Sequence, residues 1–134
     1  DMCIRDSGCA VSINNGTSWY CGPRTYDLSI RSIATSGANV ISATSYMMYT
    51  SADKGSSWET FQVSMNALAS NDSIVYAGGN GGMTISRDGG TNWKWMDIYG
   101  LPDSPKFTSI ITNDSVSFAA TLGKGVYYSK DESE

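Results

Sequence analysis

Apolar positions in this chain come in short runs that never persist long enough to make a helix face. Over residues 30 to 51, "IRSIATSGANVISATSYMMYTS", three such runs are separated by Ser, Gly and Asn, and the third ends on a serine. The same order of events returns at 65 to 86, "MNALASNDSIVYAGGNGGMTIS", and at 107 to 129, "FTSIITNDSVSFAATLGKGVYYS". Runs rich in β-branched and aromatic residues, broken at intervals of about ten by turn formers, predict strands joined by tight turns, and no stretch has a useful helical period. Calling the strands of one unit a, b, c and d, the three runs supply a, b and c. Strand d is predicted at 58–64 and 93–98, with "WYC" at 19–21 beginning the first. Ile33, Leu68 and Ile110 align across the copies, as do Ala43, Ala77 and Ala119.

What joins c to d is also repeated. "SADKGSSW" (51 to 58) and "SRDGGTNW" (86 to 93) are full copies, "SINNGTSW" (12 to 19) is a degraded one, and "SKDES" (129 to 133) stops short of a tryptophan. The opening serines Ser12, Ser51, Ser86 and Ser129 are 39, 35 and 43 residues apart. A period near 40 with strand-like content is that of a four-stranded propeller blade. Each residue type has a mechanical use. Asp53 and Asp88, with Asn14 in part and Asp131 in the last copy, can accept hydrogen bonds from the N–H groups of their own turn. Gly16, Gly55 and Gly90 suit a positive φ, and Trp19, Trp58 and Trp93 cover the apolar edge between strands.

The pattern S-x-D-x-G-x-x-W resembles the Asp-box, or bacterial neuraminidase repeat, of sialidases, the sortilin ectodomain, xyloglucanases and photosystem II assembly factors. The resemblance implies an all-β fold: a β-propeller segment of about three four-stranded blades with the boxes as c–d turns, in blade parts 1–29, 30–64, 65–106 and 107–134. It also implies that the box is a structural clip at the blade periphery, so Asp53 and Asp88 are expected to hold turns, not to catalyse or bind metal. Propellers typically close with four to eight blades. The ring is therefore expected to be completed by a second copy, giving six blades with residues 107–119 of one pairing with 9–22 of the other, or by sequence elsewhere.

Composition narrows the function classes. With 134 residues the chain suits one domain. A net charge of −4, with Arg5, Arg24, Arg31 and Arg87 scattered, argues against nucleic acid as a partner, and no apolar run reaches membrane-spanning length, so no membrane insertion is expected. The start at Asp1, without Met or a signal-like segment, is taken as a processed form or an excised piece. Cys3, Cys9 and Cys21 cluster near the start, as for a local disulfide with one thiol left over and the pairing open. Sequons at Asn15, Asn71 and Asn113 mark possible glycosylation. Together these point to a secreted, extracellular or lumenal protein.

Strand alternation sends the b–c and d–a loops to one face, where propellers usually bind, and the sequons to the other. The binding-face candidates are Arg24, Tyr26, Asp27, Tyr46, Asn80, Tyr99, Asp103 and Lys106: aromatic faces beside hydrogen-bonding groups, which suit glycan or protein. The competing reading is that the tyrosines fill gaps between blades. "GGNGG" (78 to 82) lacks the helix and Lys-Ser/Thr ending of a phosphate loop. The chain has no histidine, which removes Ser–His and Cys–His catalysis and most zinc sites. No cofactor, metal or catalytic residue is assigned. The expectation is a non-catalytic binding or scaffold module. The alternatives are a glycoside hydrolase fragment (sialidase- or xyloglucanase-like), using acids such as Asp27, Asp97 and Asp103, and, by resemblance only, an assembly factor for a membrane complex.

Overall fold

The computed structural model describes residues 10–12, 14–21, 29–97, 99–101, 103–113 and 116–129. Within them every regular element is a strand: β1 (Ala10–Val11), β2 (Tyr20–Cys21), β3 (Ile30–Ser36), β4 (Asn39–Thr44), β5 (Met48–Ser51), β6 (Glu59–Phe61), β7 (Met65–Asn71), β8 (Ile74–Gly79), β9 (Met83–Ser86), β10 (Lys94–Trp95), β11 (Phe107–Thr112), β12 (Ser117–Thr121) and β13 (Gly125–Ser129). They form antiparallel sheets in chain order: the pair β1-β2, the four-stranded β3-β4-β5-β6 and β7-β8-β9-β10, and the three-stranded β11-β12-β13.

The d strands are shorter than predicted, three residues in β6 and two in β10, and each starts just after the tryptophan. Register also corrects one alignment. Ile33 stands opposite Ser42, whereas Leu68 stands opposite Ala77 and Ile110 opposite Ala119, so the counterpart of those alanines is Ser42 and Ala43 is one place further on. In a strand one place is the other face. Nor is the c position of the last sheet vacant, because β13 pairs with β12 from Ser117↔Ser129 to Thr121↔Gly125.

The sheets stack face on face, each with a leading face toward the sheet before and a trailing face toward the sheet after. Ile41, Ala43 and Met48 on the trailing face of β3–β6 are covered by Met65, Leu68, Val75 and Ala77 of the next sheet. One step on, Ala67, Ala69, Tyr76, Met83 and Ile85 lie beneath Phe107, Ile110 and Ala119. Burying a side chain such as Phe107 or Ile41, both 0 % exposed, is worth about 1.5–3 kcal/mol each. "GGNGG" serves this packing: a Cβ on Gly78 would fall 2.7 Å from Phe107, one on Gly79 2.2 Å from the Ser64 carbonyl, and one on Gly82 2.7 Å from the Trp95 ring.

The box turns share one hydrogen-bond pattern. Ser51 Oγ donates to Asp53 Oδ1 at 2.8 Å and accepts from Gly55 N–H at 2.8 Å, while Ser57 N–H donates to Asp53 Oδ1 at 2.7 Å. Ser86, Asp88, Gly90 and Asn92 repeat this at 2.8 Å in each contact. The asparagine at 14 does the same work, with Ser12 Oγ donating to Asn14 Oδ1 at 3.0 Å and Gly16 N–H to Ser12 Oγ at 2.7 Å. The chain turns through two successive positive φ angles, Asn15–Gly16, Lys54–Gly55 and Gly89–Gly90, the second being 85°, 89° and 91°. Hydrogen bonds from the Ser57 hydroxyl, Ser57 N–H and Ser51 hydroxyl hold the Asp53 carboxyl down to about 2. Those from Asn92 N–H, the Asn92 amide and the Ser86 hydroxyl do the same for Asp88, also to about 2.

The box at 86–93 also reaches the sheet before it. The Gly90 carbonyl accepts from Thr50 Oγ1 at 3.0 Å and the Gly89 carbonyl from Asn39 Nδ2 at 2.9 Å. Trp58 and Trp93 are half-buried and donate Nε1–H to Gly55 and Gly90 carbonyls at 3.2 and 3.1 Å. Trp19 departs from expectation, being 64 % exposed and covering little. Asp131 lies outside the described residues.

Candidate functional site

The inner strands β3, β7 and β11 each carry a bulge at the same place, between Ile30 and Ser32, Met65 and Ala67, and Phe107 and Ser109. A bulge leaves one residue out of the ladder and re-aims its side chain. The residues set free are Arg31, Asn66 and Thr108, two positions before the aligned Ile33, Leu68 and Ile110. They lie beside the b–c and d–a loops.

The bulge side chains tie neighbouring sheets into a polar row. Arg31 Nη1 donates to Asn66 Oδ1 at 2.9 Å, and Asn66 Nδ2 donates to Asn80 Oδ1 at 2.9 Å and to the Phe107 carbonyl at 3.3 Å. The Asn80 backbone in turn pairs with that of Lys106 in the d–a loop, and the two loops are stitched by Gly81 N–H donating to the Pro105 carbonyl at 2.9 Å. Thr108 points elsewhere, donating to the Ala120 carbonyl at 3.3 Å. Arg31, an exposed residue, thus stands at one end of the row, and Lys106, also exposed, lies beside its other end. Lys124 Nζ, on the neighbouring b–c loop, donates to the Asp103 carbonyl at 2.7 Å.

Of the residues predicted from sequence, Asn80 and Lys106 are brought together and Asp103 lies beside Lys124. Tyr46 and Tyr99 are 67 % and 93 % exposed, so neither fills a gap between sheets. Tyr46 sits at the tip of a b–c turn whose Tyr46 and Met47 N–H groups donate to Thr44 Oγ1 at 3.2 and 3.0 Å. Arg24, Tyr26 and Asp27 lie outside the described residues, as do Cys3 and Cys9. Asn15, Asn71 and Asn113 stand at the c–d and a–b turns, away from the row. Arg31 and Asn66 were missed. The signal existed, since both occupy one column of the repeat, but alternation alone places a strand's second residue in the ladder and gives no warning of a bulge.

A second concavity, a cleft of about 420 Å³, opens between β7–β10 and β11–β13, lined by Tyr76, Ile85, Asp97, Tyr99, Phe118 and Tyr128 among others. One step earlier in the stack Trp93 packs between the corresponding sheets. The cleft comes from sheet spacing, which no local motif encodes. Of the acids considered for hydrolysis, Asp97 lines this cleft and Asp103 sits on the loop near Lys124.

No protein-family model matches the chain, and no curated protein sequence matches it. Among solved structures, YCF48 bound to D1 peptide matches 84 % of this chain and 40 % of its own with a TM-score of 0.67 and 18 % identity. The crystal structure of the computationally designed Ika4 protein matches 80 % of this chain and 94 % of its own at a TM-score of 0.46 and 12 % identity. The chain thus spans about 40 % of the YCF48 chain it matches. Stacked four-stranded antiparallel meanders with inner a strands, together with the likeness to YCF48, make the fold a β-propeller architecture.

Proposed function

We propose that this chain is a non-catalytic protein-binding scaffold of the Asp-box propeller type, which holds an extended acidic segment of a partner across the face of the b–c and d–a loops. The observation that carries the reading is the bulge-built row, in which Arg31 is bonded to Asn66, Asn66 to Asn80, and the Asn80 backbone pairs with that of Lys106, so that two exposed cationic residues flank the amides. Arg31, set by a bulge of an inner strand, and Lys106, in a loop held by its backbone bridge to Asn80, are preorganised for carboxylates and lose little freedom on binding. The exposed rings of Tyr46 and Tyr99 add apolar contact area of the kind peptide-binding surfaces use. The peptide held by YCF48 supports a protein partner for a related fold. Membership of the Asp-box superfamily is part of the proposal, supported by three turns of one hydrogen-bond pattern. So are the division into blade parts at 29/30, 64/65 and 106/107 and a secreted or lumenal setting.

The test is fluorescence-polarisation titration of short acidic peptides, with lysine-substituted peptides and neutral oligosaccharides as controls. Arg31→Glu with Lys106→Glu is expected to weaken acidic-peptide binding by about a hundredfold, near 2.8 kcal/mol, with far-UV circular dichroism unchanged. Equal binding of acidic and basic peptides, or no loss in the double variant, would defeat the proposal. A glycan reading rests on the same two tyrosines. It gains if oligosaccharides bind and Tyr46→Ala and Tyr99→Ala abolish that binding while the charge reversals do not.

A further inference from the structure

We infer that the cleft between β7–β10 and β11–β13 is the seat of an indole, supplied by a tryptophan-bearing segment of a partner polypeptide that adds to β13 as an antiparallel fourth strand. The molecule itself shows what fills such a seat, because the same space one unit earlier is occupied. There Trp93, half-buried, packs against the cluster that holds Ile41 and Met48 of one sheet and Leu68, Val75 and Ala77 of the next, with Phe61 beside it.

Cross-strand register carries that seat forward residue by residue. Ser51 stands opposite Val40, Ser86 opposite Val75 and Ser129 opposite Ser117, which sets three units in one frame. In this frame the floor of the Trp93 seat, Ile41, Met48 and Phe61, becomes Tyr76, Met83 and Met96. Its cover, Leu68, Val75 and Ala77, becomes Ile110, Ser117 and Ala119. All six of these line the cleft, whose volume of about 420 Å³ suits a small ligand group. The chain's own indoles are placed elsewhere. Trp58 and Trp93 are bonded to their own boxes, Trp95 lies beside Gly82, Trp19 belongs to the first turn, and residues 130–134, outside the described residues, include no tryptophan.

The edge beside the cleft accepts a strand as well. β5 is paired by β6 and β9 by β10, each of these outer strands starting just after its tryptophan. Among the described residues β13 pairs with β12 alone. Its outer N–H and C=O groups are a template for an extended segment, which gains main-chain hydrogen bonds there while side-chain pockets supply the selectivity. Tyr128 occupies the position of Thr50 and Ile85, and Tyr127 that of Tyr49 and Thr84, the residues that pair with β6 and β10. A segment entering in that register brings a tryptophan over Ile110, Ser117 and Ala119. Three residues later it places an apolar side chain, the counterpart of Phe61 and Met96, on the trailing face. The partner is therefore recognised as an extended run of the form Trp-x-x-apolar.

Fluorescence polarisation with a labelled peptide copying residues 91–98, "TNWKWMDI", the run that fills the equivalent place one unit earlier, tests this. The peptide is expected to bind the chain and to weaken about thirtyfold on Trp93→Ala in the peptide. Trp95→Ala in the peptide costs far less, since that ring stands outside the seat and is 62 % exposed in the chain. Hydrogen exchange of the β13 amides slows when the peptide is bound, the sign of strand addition. In the protein, Ser117→Phe fills the seat and removes binding; should that variant fail to fold, the two peptide variants and the exchange decide. No binding, equal losses from Trp93→Ala and Trp95→Ala, or unchanged exchange in β13 overturns the inference. A chain that is dimeric by light scattering and is released to single-chain mass by the peptide overturns the separate partner in favour of a second copy. Arg31→Glu with Lys106→Glu leaves this binding intact, so its failure and that of the acidic-segment reading are told apart.

Discussion

The box turns permit a test in which chemistry is constant and burial varies. Ser86 is 0 % and Ser51 1 % exposed, and the Gly90 and Gly55 N–H groups that donate to them belong to buried residues. Ser12 makes the same contacts, at 2.7 Å to Gly16 N–H, but in an exposed turn. Replacing serine by alanine removes the acceptor and leaves the glycine N–H unpaired. Where water can reach that N–H the change is close to neutral, within about 0.5 kcal/mol for a surface site. Where it cannot, the unpaired donor costs about 1–3 kcal/mol. We expect Ser86→Ala and Ser51→Ala to lose about 2 kcal/mol each, a fall of roughly 6–12 °C in midpoint for a chain of this size, and Ser12→Ala to be nearly silent. Urea titration followed by tryptophan fluorescence measures all three. Equal losses at the three serines, or a larger loss at Ser12 than at Ser86, would refute the idea that burial of the turn decides its worth.

Three further outcomes are expected. Gly90→Ala combines a φ of 91° with a Cβ 2.8 Å from Ile41 Cγ1; it should cost roughly 2–4 kcal/mol in the same titration, whereas Gly37→Ala, with open space around it, should cost only about 1 kcal/mol. Thr84 Oγ1 is buried with no hydrogen-bond partner among the described residues, so Thr84→Val should stabilise by about 1 kcal/mol, read as a higher urea midpoint at unchanged slope. The Asp53 and Asp88 carboxyls are held at about 2 in the fold, against 3.8 ordinarily; the stabilisation from their ionised forms is therefore present above pH 3.8 and lost as pH falls through 2. Wild type minus Asp53→Asn/Asp88→Asn, followed by thermal melts, should show a stability gap that shrinks across that window and is constant from pH 5 to 7.

The architecture was largely legible because its two determinants are local and periodic. Strand alternation and a serine-to-tryptophan turn recurring at blade spacing define β3 to β10 without tertiary information. Three things were not legible. The Ala43 alignment failed because a b strand can be matched one residue off and still look apolar, and only cross-strand register with Ile33 decides. The first positive φ in each box was hidden because Asn15, Lys54 and Gly89 share no side-chain chemistry. At the candidate site, Asn80 and Lys106 could be singled out from their loops, but Arg31 and Asn66 depend on a bulge, a mismatch between two strands that neither strand encodes alone.

The stacking rule has a consequence for how such a molecule changes over time. β3 touches β7 and β7 touches β11, and the box at 86–93 reaches one sheet back, so a substitution in one unit is felt by its immediate neighbours and fades beyond them. A gene for such a stack can gain or lose a whole unit by duplication or deletion while each surviving core keeps the partners it had. The bulge residues, one per unit and all on one side, can then be varied separately, so the surface offered to a partner can be rewritten without redesigning the scaffold beneath it.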